Sequence, residues 1–199
     1  MSVNEINLPI THENSAVNHR LLGTIGMICA PGLYFASFFY SQNYDEPNPQ
    51  QVYASLSGVI YLCGAAASAT AMRRLRVTGN GIGAAFLFAV QIAGLALAMM
   101  YDILEYAAPH LKQSWLFSVT DMAYPFSHLL MIIVGAAIVR AGVWRGWRRI
   151  PAFLCGLALP LFFASSALFG RENVGFVFIA SVTPGFFLLG CAVRAAEEN

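Results

Sequence analysis

The chain has 199 residues, 58% of them hydrophobic and 11% charged, with a net charge of +1 and a mean hydropathy of +0.62. Soluble domains carry roughly 25% charge, so there is too little polar surface here to wrap a water-facing core. The composition excludes disorder, a coiled-coil or collagen rod, a small disulfide scaffold and nucleic-acid binding, and leaves lipid as the solvent.

In chain order, residues 1–19 are polar, with Pro9 and a helix-cap candidate at Thr11. They read as a tail or a short interfacial helix. Arg20 is the only cation before the first apolar run and no A-x-A site follows, so no cleaved signal peptide is expected. His12 and His19 lie in this segment and His110 in a later loop; all three read as solvated side chains.

Six runs of the length needed to cross a bilayer follow. They are Leu21–Ser41, Gln51–Met72, Gly81–Tyr106, Trp115–Arg140, Ile150–Gly170 and Asn173–Val193. The runs are continuous, without the alternation of a barrel strand, and the connectors are short. The expected fold is an all-α, polytopic six-helix transmembrane bundle over residues 20–196, with a tail at 197–199. A shift of about 94 residues lays Pro31 on Pro125, compatible with a 3+3 inverted repeat.

Orientation follows from short-loop basic residues. Arg20, Arg73, Arg74, Arg76, Arg140, Arg145, Arg148, Arg149 and Arg194 fall on one side, and only Lys112 and Arg171 on the other. Both termini are therefore expected in the cytoplasm, with the chain in the plasma membrane (the inner membrane of a bacterium). Trp115, Trp144, Trp147, Tyr40, Tyr44 and Tyr53 fit interfacial anchors.

Cys29, Cys63, Cys155 and Cys191 all fall within the runs and form no CxxC, so they read as small core residues. The run Gly64–Ala69, and Gly81, Gly83 and Gly94, are small residues suited to close helix packing. The expected partners are the lipid bilayer and, through such faces, a second copy or a larger membrane complex.

Ionisable residues inside a span are costly and mark function. The third run carries Gln91, Asp102 and Glu105 on one helical face, and the fourth carries Asp121, Tyr124 and His128 on another. At about 1.5 Å per residue, Asp121 lies ~9 Å and His128 ~20 Å from the outer end of the fourth run, and Gln91 lies ~15 Å from the inner end of the third. Antiparallel neighbours would then form a polar seam, acidic at the outside and ending near His128. Asp121 and His128 are its two leading candidates.

No HxxxH or HExxH spacing occurs, so no metal site is expected. His128 is the only histidine inside a run, which argues against haem between two histidines. No cofactor is specified. The nucleophile motif of rhomboid proteases is absent, as is any lysine within a span of the kind that holds retinal. The favoured reading is binding or transport of a small polar or cationic solute, or of protons. An accessory subunit of a membrane complex ranks second, and an enzyme acting on lipid or quinone third.

Overall fold

A computed structural model describes residues 12–39, 49–169 and 174–196. All regular structure among the described residues is helical. The helices are α1 (His12–Cys29), α2 (Gly32–Phe39), α3 (Pro49–Arg74), α4 (Ile82–Ala107), α5 (Trp115–Ala141), α6 (Ile150–Phe169) and α7 (Val174–Arg194).

Among the described residues, four stretches are long and apolar enough to cross a membrane: His19–Phe39, Gln51–Arg74, Ile82–Ala107 and Trp115–Ala141. Helices α6 and α7 stand where the fifth and sixth apolar runs were predicted. Thr11, Tyr40, Tyr44, Arg171 and the 197–199 tail lie outside the described residues.

The first run is interrupted at Ala30–Pro31, and α2 continues it after a turn. Proline has no N–H to donate and its ring crowds the preceding turn. Pro125 sits inside α5 without ending it. The two prolines that the 94-residue shift aligns thus act differently on their helices.

The helices close into a ring. Going round, α1 packs on α3, α3 on α4, α4 on α5, α5 on α6, α6 on α7, and α7 back on α1, while α2 rests on α3. Each of these contacts includes a glycine in close approach. Gly64 of α3 faces Cys29 of α1, Gly58 of α3 faces Asp102 of α4, and Gly94 of α4 faces Ser127 of α5. Gly156 of α6 faces Ile132 of α5, and Gly185 of α7 faces Cys155 of α6. Between α7 and α1 the approach is backbone to backbone: a Cβ on Gly190 would lie 2.6 Å from the Met27 backbone nitrogen and 2.8 Å from the Gly23 carbonyl. Lipid supplies no hydrophobic drive between helices, so close backbone approach and van der Waals contact hold such a ring. Gly64 and Gly94 pack as expected, whereas Gly81 and Gly83 face open space.

The alternating helix directions gather the described arginines at one end of the ring. Several residues of that end depart from expectation. His19 is 3% exposed, not solvated, and its Nε2–H donates to the Ala196 carbonyl at 3.0 Å. Trp144 is 3% exposed and belongs to the core, and its carbonyl accepts from Arg149 Nε. Trp147 and Trp115 are exposed. Of the cysteines, Cys155 is buried, Cys29 and Cys191 are half-buried, and Cys63 is exposed on the outside of the ring, so Cys63 is not the core residue its run suggested.

Candidate functional site

The interior of the ring carries a column of polar side chains from α3, α4 and α5. At its centre is His128 on α5, 1% exposed. Its Nδ1 lies 2.8 Å from the Tyr124 carbonyl one helical turn earlier. A carbonyl only accepts, so Nδ1 carries a proton. In the neutral ring Nε2 is then an acceptor, and it lies 2.9 Å from Tyr61 Oη of α3, which donates.

Aromatic rings enclose this pair. Tyr124 stacks on His128 with centroids 5.0 Å apart. Phe186 of α7 meets Tyr61 edge-on at 5.2 Å and His128 at 5.8 Å. Three helices thus meet in a plug of Tyr61, His128 and Phe186. The hydrogen bond to the Tyr124 carbonyl fixes the imidazole and leaves Nε2 as its exchangeable nitrogen.

Asp102 of α4 lies on the side of the plug away from the arginine-rich end. It is eight residues beyond Gly94, or about 12 Å along the helix. Its carboxylate rests against Gly58 of α3, where a Cβ would stand 2.9 Å from the Asp102 Cγ. Oδ2 is buried with no hydrogen-bond partner among the described residues. Glu105 is half-buried one turn further from the arginine-rich end. Glu105 lies within electrostatic range of Asp102, Asp121 and Lys112, and Tyr124 within range of Asp102.

Gln91 of α4 lies toward the arginine-rich end. It is 1% exposed, and neither its Oε1 nor its Nε2 has a partner among the described residues. Ser68 of α3 is likewise buried with an unpartnered hydroxyl. Buried polar groups are nearly always paired, so each of these is a place where water or a ligand atom would be stabilised.

The structure therefore joins Asp102, Glu105, Tyr124 and His128 in one column and sets Gln91 at its arginine-rich end. Asp121 stands apart from the buried set. Its side chain is exposed. The buried face of α5 is centred on Thr120, Ser127, Val134 and Ile138, and at about 100° per residue Asp121 lies roughly 120° from that centre. His128 lies at a similar angle but is covered by Tyr61 and Phe186. At the level of Asp121 the α6 side chains Leu161 and Leu168 are themselves exposed. The carboxylate buried in the ring is that of Asp102.

Sequence reasoning missed Tyr61, Gly58 and Phe186. Tyr61 left one signal. A tyrosine in the middle of an apolar run brings a hydroxyl that lipid cannot satisfy, so it needs a partner on another helix. Gly58 and Phe186 carry no such mark, because their roles exist only once α3, α4, α5 and α7 are side by side.

Comparison of the chain with protein-family models, curated proteins and solved structures finds no match.

Proposed function

We propose that this is a six-span membrane protein that binds a proton or small cation at Asp102 and passes it across the bilayer, with the Tyr61–His128–Phe186 plug as the inner barrier. In this reading the bent α1–α2 unit and helices α3 to α7 each span the membrane. The arginine-rich end, with both termini, faces the cytoplasm by the positive-inside rule.

The observation that carries the reading is the Asp102 carboxylate, buried inside the ring with Oδ2 unpartnered among the described residues. A buried carboxylate oxygen without a partner in such surroundings is costly to keep, and an incoming cation or proton removes that cost. Glu105 adds negative charge beside it, while Tyr61 and His128 offer the next hydrogen-bonding groups inward. The plug favours a proton or small cation over a bulky solute, because Tyr61, His128 and Phe186 are each at most 3% exposed.

The test is flux in proteoliposomes of the purified chain, read with an entrapped pH dye and, separately, with a potassium- or sodium-sensitive dye. Asp102→Asn keeps the shape and removes the charge. A hydrogen bond to a charged group contributes about 1.5–3 kcal/mol, so uptake at limiting cation is expected to fall roughly tenfold to a hundredfold. Glu105→Gln should lower it less, since Glu105 is half-buried. Flux at the wild-type rate in Asp102→Asn, with the protein still folded, would overturn the proposal.

A further inference from the structure

The basic end of the ring holds two cavities that the polar column does not use. One, of about 660 Å³, is lined by Arg145 and Arg148 together with Trp144, Trp147 and Ala196. The other, of about 400 Å³, is lined by Arg20 and Arg194 together with Met27 and Ala196. Ala196, two residues past the end of α7, borders both, so Arg20, Arg145, Arg148 and Arg194 line two cavities that share one residue.

This arrangement is held in place. His19 donates to the Ala196 carbonyl. Trp144 is buried, and Arg149 donates to its carbonyl, so Arg149 ties the loop while Arg145 and Arg148 line the cavity. Gly142 (φ 69°) and Gly146 (φ 59°) take the left-handed conformations that turn the chain around it. Among the described residues no carboxylate lines either cavity. Among the described residues no carboxylate pairs with Arg20, Arg145, Arg148 or Arg194.

We infer that these cavities seat the phosphate of an anionic lipid headgroup. Guanidinium is planar and donates in pairs to phosphate oxygens. The exposed Trp147 beside the cavity suits the headgroup level of a bilayer. Basic pockets between membrane helices are one form in which anionic lipid headgroups are held. The inference needs the chain to be in a membrane but does not depend on the polar column or on which leaflet the arginines face. Glu197 and Glu198 follow Ala196 directly in the sequence and are the competing anions.

The experiment uses the full chain in detergent micelles, titrated with phosphatidylglycerol, with phosphatidylcholine, or with inorganic phosphate alone. Bound lipid is counted by native mass spectrometry and the unfolding temperature is followed in parallel. Phosphatidylglycerol is expected to bind and stabilise, and phosphatidylcholine to do so far less. Arg145→Gln with Arg148→Gln should weaken phosphatidylglycerol binding about 30-fold, near 2 kcal/mol for two basic residues at the surface. Arg73→Gln with Arg74→Gln, at the same end but lining neither cavity, should leave binding unchanged. The Arg145→Lys, Arg148→Lys pair should fall between. Equal binding of both lipids, or equal loss in the Arg73/Arg74 variant, overturns the inference. So does a response to inorganic phosphate as strong as to lipid. Binding that appears only in Glu197→Gln, Glu198→Gln overturns it too, since the acidic tail would then be the occupant.

Discussion

Replacing Tyr61 with Phe removes one hydroxyl from the centre of the ring and little else. The aromatic ring stays, with its edge contact to Phe186 at 5.2 Å and its approach to Tyr124 at 6.4 Å. The 2.9 Å bond to His128 Nε2 is lost, and Nε2 loses its donor. An orphaned buried polar group costs about 1–3 kcal/mol, whereas side-chain hydrogen bonds between membrane helices average about 0.6 and reach about 1.7 kcal/mol. Tyr61 and His128 are 0% and 1% exposed, so water does not readily replace the donor. The expected cost is therefore in the upper part of that membrane range, about 1–2 kcal/mol. The assay is reversible denaturation in bicelles of wild type, Tyr61→Phe, His128→Phe and the double variant. If the bond matters as argued, Tyr61→Phe is nearly neutral once His128 is gone, and the coupling is about 1 kcal/mol. Coupling below about 0.3 kcal/mol, the limit at which separate sites simply add, refutes the reasoning.

Gly190→Val should prevent close packing of α7 on α1, costing at least about 1–3 kcal/mol for overpacking against backbone, whereas Gly83→Ala, with nothing within 4 Å, should stabilise α4 by about 0.5–1 kcal/mol; thermal unfolding in one detergent compares the two. His19→Ala removes the bond to Ala196 and should lower stability by about 0.5–1.5 kcal/mol while making the end of the chain more sensitive to carboxypeptidase, and unchanged digestion would argue against the tie. Reporter fusions at the two termini should both signal from the cytoplasm; a signal from the other side at either end would refute the orientation.

The helical runs were legible in the sequence because helix formation in lipid is local. A continuous apolar stretch must satisfy its own backbone, and this property belongs to the stretch alone. The sorting of arginines was equally legible, since it requires only that successive helices alternate in direction. His128 and Gln91 could be placed at mid-membrane for the same reason, since a polar residue deep in an apolar run conflicts with its surroundings, whereas Asp102, near the outer end of its run by the same count, carried no sign that it is buried and Asp121, counted well inside its run, is exposed. What one dimension does not contain is which edge of each helix is covered. Asp121 and His128 lie at similar angles on α5, yet His128 is enclosed by Tyr61 and Phe186 while Asp121 is exposed. Only the closure of the ring, with α7 returning to α1, brings Tyr61 of α3 and Phe186 of α7 onto that edge at the depth of His128. The same closure makes Tyr61 the partner of His128, sets Asp102 against Gly58, and ties His19 to Ala196 across 177 residues of sequence. The sequence by itself determined an apolar, all-helical chain with its positive charge at one end. The tertiary structure decided which of its few polar groups meet, because burial depends on neighbours that no single helix carries.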